Sequence, residues 1–274
     1  MRAYSVLRFL RHFLLALQFF TRIPVTGRLA NWVGFSTTML RASAAHFPGV
    51  GWVVGGLTAL VFAGLIALLP RLPESVWVAA VLSTVFSVLL TGAFHEDGLA
   101  DTADGLGGAM TRERALDIMK DSRIGTYGTV ALVLAIFAKL SLLVLLTRVD
   151  LRLGVATLFL AHVTSRFTPL FLIRAMDHVG DTPQSKSKPL AENISTAAVG
   201  VGLVWWGLAL LAMFSFLPVW PWWAGALGAA VMAAWMARRL QQRLQGYTGD
   251  GLGATQQLSE LGFYLGMALA VGIP

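Results

Sequence analysis

The chain has 274 residues, of which 56% are apolar and 13% charged, with a formal net charge of +7 from 21 Lys+Arg against 14 Asp+Glu. A mean hydropathy of +0.70 and a charged share about half that of soluble domains exclude a soluble single domain and a disordered chain. With no cysteine, a disulfide scaffold, a thiolate nucleophile and a zinc–thiolate site are excluded too.

What remains is an all-α, polytopic integral membrane helix bundle, read as one membrane domain over residues 1–274. Tyr4–Phe20 comes first, apolar but carrying Arg8, Arg11 and His12. It has the form of a signal peptide, yet no small-residue cleavage site precedes Phe19-Phe20-Thr21-Arg22, so it reads as an interfacial amphipathic helix. A hydrocarbon core of about 30 Å needs roughly 20 apolar helical residues. Such runs follow at Val50–Leu69, Val76–Phe94, Tyr127–Leu146, Leu153–Ile173, Ala197–Leu217, Trp220–Ala237 and Leu258–Ile273. The last is short and Gly-rich, which suits a tilted or re-entrant helix. Six or seven transmembrane helices are expected. The tryptophans Trp205, Trp206, Trp220, Trp222 and Trp223 read as interfacial belts.

The basic residues orient these spans. Alternate segments hold 16 Lys/Arg on one side and three on the other, with only Lys139 and Arg166 inside spans. By the positive-inside rule the basic side, with the N-terminus, is cytoplasmic, and the location expected is the cytoplasmic (inner) membrane. Topology therefore accounts for the +7 surplus without a nucleic-acid partner; the bilayer is the partner it implies, and basic loops also suit a polyanionic substrate.

Seven of the 14 acids lie in residues 96–121: Glu96, Asp97, Asp101, Asp104, Glu113, Asp117 and Asp121. The segment 95–126 reads as a cytoplasmic motif loop at the mouth of the second span. If that span continues as a helix, Asp97, Asp101 and Asp104 fall at i, i+4 and i+7, on one stripe. Like charges so placed repel unless one protonates or a cation intervenes. Carboxylates without cysteine suit hard Mg²⁺ or Mn²⁺. Gly98, Gly105, Gly107 and Gly108 interleave with them, permitting close backbone approach. A solvated acidic loop is the plain alternative. His95 reads equally as an interfacial hydrogen-bonding residue, a ligand or a proton carrier.

A second cluster is Lys120-Asp121-Ser122-Arg123-Ile124-Gly125-Thr126-Tyr127-Gly128. Thr111 can cap a short helix through Lys120. Cations beside a carboxylate–metal site are what a diphosphate needs, and Gly125 and Gly128 leave N–H groups for an anion. A salt-bridged turn is the alternative. A third cluster, Gly246-Tyr247-Thr248-Gly249-Asp250-Gly251-Leu252-Gly253-Ala254, reads as flexible or tightly turned backbone with one more carboxylate. An intramembrane Arg166 beside Ser165 is a functional candidate, whereas Lys139 reads as snorkelling or paired internally.

From the residues alone, a metal-dependent phosphoryl-transfer enzyme competes with an ion-coupled transporter. Acids at helix ends rather than the midplane favour the enzyme. Another diphosphate-using membrane transferase, of the prenyl or alcohol-phosphate kind, also fits spaced aspartates. However, no Asp-Gly-x-x-Ala-Arg run and no paired Asp-rich repeat is present.

At these motifs the chain resembles the cobalamin synthase family, the adenosylcobinamide-GDP ribazoletransferases, along nearly its whole length. The likeness lies in Phe20-Thr21-Arg22-Ile23-Pro24, Gly51 to Gly56, and His95-x-Asp97-Gly98-Leu99-x-Asp101-x-x-Asp104-Gly105. It continues in Met119-Lys120-Asp121-Ser122-Arg123-x-Gly125-x-x-Gly128, Ser165-Arg166 and Thr248-Gly249-Asp250-x-Leu252-Gly253-Ala254. Lys120 and Gln245 depart from the usual residues, and Glu96 lies outside the pattern. The resemblance implies transfer from adenosylcobinamide-GDP to α-ribazole or its 5′-phosphate, releasing GMP, with Mg²⁺ as cofactor. It implies Mg²⁺ on Asp97, Asp101 and Asp104, with Asp121 or Asp250 completing the shell. Arg123 and Lys120, helped by Arg22 or Arg166, would hold phosphate charge, with Ser122, Gly125 and Thr248 at the substrate. An unliganded carboxylate or His95 would act as general base. A second copy of the chain, or other corrinoid-pathway enzymes, are the protein partners this reading allows.

Overall fold

The computed structural model describes residues 6–179, 194–218 and 222–271. Arg2, Tyr4, the polar stretch Asp181–Lys188 with Lys186 and Lys188, Trp220 and Ile273 lie outside the described residues.

The chain opens with α1 (Val6–Phe20), whose Leu15, Ala16, Leu17 and Phe20 are buried while Val6 and Leu7 are exposed. The short helices α2 (Gly27–Val33) and α3 (Thr37–Ser43) follow. Ser36 starts α3 by accepting from the Met39 N–H at 3.1 Å. A 3₁₀ turn, Ala44–His46, leads into α4 (Phe47–Leu68). There Pro48 sits in the first turn, where no N–H is needed.

The next helix, α5 (Ser75–Thr91), stops where the sequence pattern expects it to continue. Gly92 and Ala93 both take positive φ, 69° and 57°, and α6 (Phe94–Gly108) leaves at 89°. The acidic segment expected as a loop is therefore largely helical. At that right angle α6 crosses the direction of α5 and packs against the helices Thr126–Val149 and Gly249–Val271. It is followed by α7 (Arg112–Met119), capped by Thr111 Oγ1 from the Arg114 N–H at 3.3 Å.

The chain then crosses in α8 (Thr126–Val149) and returns in α9 (Leu151–Phe167), which Asp150 caps. Next come α10 (Pro169–Ala175), α11 (Thr196–Phe216), α12 (Trp222–Leu244) and α13 (Gly249–Val271). Among the described residues the β structure is a single parallel bridge, His178 to Tyr247.

Among the described residues, four helical stretches are long and apolar enough to cross a membrane: Thr37–Leu68, Thr126–Val149, Leu151–Ala175 and Thr196–Phe216. The bent pair α5–α6 makes a fifth if it counts as one span. The other two expected spans are parts of longer helices. The run ending at Ala237 continues through Arg238, Arg239 and Arg243, and the run beginning at Leu258 starts earlier, at Gly249, taking in Asp250 and Glu260. Both helices have 23 residues, or roughly 35 Å, but their polar turns dilute the apolar signal.

The core gathers around α9, which is buried almost throughout. The Gly51 and Gly55 positions of α4 lie directly on its backbone at His162 and Phe159. Gly228 of α12 meets Gly262 and Gly266 of α13 in the same way, the small-residue contact that lets membrane helices approach closely. The outward side chains are apolar, among them Leu134, Phe137, Leu211, Leu227 and Leu269, as a lipid-facing surface requires.

Hydrogen bonds show which loops share a face. Arg112 donates to the Leu244 carbonyl, Arg243 donates to those of Leu106 and Ala109, and the Arg22 N–H donates to Leu90. Arg148 reaches the Pro73 carbonyl on the other side. Segments grouped by their basic residues are thus grouped in space.

Candidate active site at the crossing of α6 and α13

The Gly98 side of α6 is packed against α13. A Cβ placed on Gly98 would stand 2.8 Å from the Asp250 carbonyl oxygen and 3.2 Å from Gly253 Cα. Only glycine allows the two backbones to touch here, and the contact carries Asp250 to the carboxylates of α6. Asp101 lies within electrostatic reach of Asp250, Asp97 and Asp104. Asp97 is exposed, and Asp101 and Asp250 are partly so. Asp97 and Asp250 each occupy the first turn of their helix, where the positive end of the helix dipole favours anions.

Of the two readings of the glycine-rich segment before α13, flexible or tightly turned, the structure shows the tightly turned one. Thr248 Oγ1 accepts the Gly251 N–H at 3.0 Å and so caps α13. Tyr247 is buried and paired through its backbone with Asp177 and Val179. Thr248, expected at the substrate, sits beside Asp250 as a helix cap.

Asp104 separates from the set expected to hold a cation. Its carboxylate accepts the Gly125 N–H at 2.7 Å and the Gly128 N–H at 2.9 Å, and it is 7% exposed. The anion that fills the start of α8 is thus supplied by the chain itself. A Cβ on Gly125 or Gly128 would strike that carboxylate, which accounts for both glycines.

Asp121 is likewise committed. Its oxygens accept Arg123 Nε at 3.0 Å and Nη2 at 2.6 Å, plus the Arg123 N–H. Arg123 holds the Asp121 carboxyl down to about 2, below the usual carboxylate range. A guanidinium has five N–H donors, so the exposed Arg123 keeps three for another anion. Lys120 and Ser122 are exposed beside it. Arg22 packs against Gly92 at the α5–α6 bend, exposed on the same face.

His95 and Arg166 are interior. The His95 ring, 1% exposed, lies nearly parallel to Phe47 at 5.6 Å and Phe20 at 6.5 Å. Arg166, 2% exposed, donates to the His162 carbonyl at 3.1 Å and stands over the Phe47 ring.

Around Arg166 lies a polar network that the motifs did not reveal. Lys139 of α8 pairs with Glu260 of α13 at 2.6 Å. His162 Nδ1 lies 3.6 Å from Glu260 and 3.0 Å from Arg166 Nη1. Gln256 donates to Ser165 and Glu260, and Gln257 donates to Glu96. The signal available in sequence was a pair of lone, opposite intramembrane charges, Lys139 and Glu260, with Gln256 one turn before the acid.

Among the described residues no three His, Cys, Asp or Glu side chains stand as a ready metal cage. The donor chemistry of Asp97, Asp101 and Asp250 nevertheless fits Mg²⁺. That ion is typically held by one or two carboxylates together with substrate phosphates and water, not by an all-protein cage.

Comparison with known proteins gives the chain its relatives. A family model described as cobalamin-5-phosphate synthase matches residues 12–268. The "Adenosylcobinamide-GDP ribazoletransferase" of Albidiferax ferrireducens is 56% identical, covering 96% of this chain and 99% of that protein. Proteins of the same name from Polaromonas sp. and Vibrio cholerae are 51% and 44% identical, over 96% and 95% of this chain and 98% and 95% of theirs. No solved structure matches the chain significantly.

Proposed function

The chain belongs to the cobalamin-5-phosphate synthase family, and from that premise we propose that it joins adenosylcobinamide-GDP to α-ribazole or its 5′-phosphate, releasing GMP. The observation that carries the reading is that Asp101 lies within electrostatic reach of both Asp97 and Asp250 where Gly98 touches α13. Carboxylates converging from two helices beside exposed Arg123 and Lys120 form a surface for a metal-bound diphosphate.

In the proposed reaction a ribose hydroxyl of the acceptor attacks the phosphorus attached to the cobinamide arm. The bridging P–O bond breaks, GMP departs with its electron pair, and the hydroxyl proton passes to an unliganded carboxylate or to water. Asp97, Asp101 and Asp250 would hold Mg²⁺, which, when bound, supplies charge neutralisation at the diphosphate. Arg123, fixed by Asp121 and with donors to spare, binds phosphate oxygens, and Lys120 adds a second cation. Asp104 positions the start of α8, and with it the Lys120–Arg123 turn. The face carrying the site is proposed to be the cytoplasmic face of the inner membrane, because it carries the basic segments.

The test is to incubate the purified protein in detergent with adenosylcobinamide-GDP, α-ribazole and Mg²⁺. GMP and the completed corrinoid should accumulate together. Their absence, combined with substrate-driven ion flux in liposomes, would make the chain a transporter.

A further inference from the structure

A polar cleft of about 370 Å³ lies where α1 packs on α2 and α3, on elements that take no part in the carboxylate site. Arg8, Arg11, His12, Ser36 and Thr38 are its polar walls.

The two arginines stand one turn apart on α1. Arg11 is anchored. Its Nε donates to the Val33 carbonyl at 2.9 Å, and a Cβ on Gly34, where φ is 65°, would stand 3.0 Å from its Nη2. A guanidinium has five N–H donors, so this anchor leaves the Nη groups for an anion. His12 is 5% exposed. Burial, then the charges of Arg8 and Arg11, hold its imidazole below the ordinary value, so both guanidinium groups act on the same spot. Ser36 Oγ accepts the Met39 N–H at 3.1 Å and keeps its own proton to donate. Thr38, exposed beside it, adds a second hydroxyl. Among the described residues no carboxylate lines the cleft, and the sequence holds no Asp or Glu before Glu74. Two guanidinium groups with hydroxyl donors and no acid are the chemistry of a phosphate site.

The rim is apolar and open. Leu7 and Leu10 are exposed on the stripe of α1 next to Arg8 and Arg11. Trp32 is 41% exposed and Phe35, immediately before Ser36, 69%. A free phosphate gains nothing from such a rim, whereas a lipid covers it.

We propose that this cleft binds the phosphate of an anionic phospholipid, with the acyl chains against Leu7, Leu10, Trp32 and Phe35. A choline or ethanolamine headgroup would bring its own cation to the two guanidinium groups, so the headgroup is one without it, such as phosphoglycerol. The lipid then ties α1 to α2 and α3 at the membrane surface. The site is independent of the reaction proposed above.

The test is calorimetric titration of the full-length, delipidated protein in detergent with dioctanoyl-phosphatidylglycerol. Dioctanoyl-phosphatidylcholine and inorganic phosphate are titrated separately. The parent should bind phosphatidylglycerol saturably. Arg8→Gln/Arg11→Gln should bind it about thirtyfold more weakly, roughly fivefold for each charge removed. Thr38→Trp, which fills the cleft and removes no charge, should also weaken it. Arg238→Gln, which removes an exposed cation from α12, should not. Phosphatidylcholine and millimolar inorganic phosphate should neither bind saturably nor displace phosphatidylglycerol. Helix content by circular dichroism should be the same in every variant. Parental phosphatidylglycerol binding in both cleft variants, an equal loss in Arg238→Gln, or a parent that does not bind this lipid would overturn the proposal. Displacement by inorganic phosphate would also overturn it, and would make the cleft a site for free phosphate.

Discussion

Chemically identical side chains in this protein have roles set by what meets them. Asp104 is bound by two backbone N–H groups and Asp121 by a guanidinium, so neither is presented as an open donor. Asp101, by contrast, has Asp250 and Asp97 as close electrostatic neighbours. The sequence spacing of 97, 101 and 104 makes the three look equivalent, because a helical stripe carries no information about the helix that will pack on it. Internal pairing was one reading of Lys139, but the same limit hid Glu260 as its partner, because the two lie in different spans. A buried ion pair contributes little net stability while intact, but removing one partner strands the other charge, at about 3–5 kcal/mol. Lys139→Met should therefore lower the thermal unfolding midpoint in detergent markedly. Adding Glu260→Gln should recover most of the loss. Equal stability of the parent and Lys139→Met would show that the pair is not closed in the protein.

At the scale of elements, the helices were legible in the sequence wherever apolar length or a cap defined them. Thr111 capping α7 and the spans at α8 and α11 are examples. The α5–α6 bend was not, because Ala93 gives no hint of its left-handed backbone and the apolar run reaches Phe94 unbroken. That bend matters for function: it turns the acidic helix across the direction of α5, where it packs against α13. The crossing depends on Gly98. Gly98→Val should lower turnover at least a hundredfold by prising Asp250 from Asp101, with helix content by circular dichroism unchanged; each tenfold corresponds to about 1.4 kcal/mol of lost transition-state stabilisation. Near-parental turnover in that variant would remove the crossing from the mechanism.

For the whole molecule, charge and topology give one account. Sixteen of 21 basic residues share one side of the sequence-derived topology, and hydrogen bonds join loops of that side to each other. The chain contains no cysteine, so single introduced cysteines report sidedness without background. Ser122→Cys should react with an impermeant maleimide only in inside-out vesicles, and Arg71→Cys only in right-side-out ones. The reverse pattern would put the site on the other face.

The central claim is that carboxylates from α6 and α13 act as one cation and diphosphate site. The rate of GMP release against Mg²⁺ concentration tests it most directly, compared among the parent, Asp97→Asn and Asp250→Asn. Both variants, inserted in the membrane at parental levels, should lose at least about a hundredfold in turnover, and the little that remains should require more Mg²⁺. Near-normal turnover with parental Mg²⁺ dependence in either variant would contradict the claim.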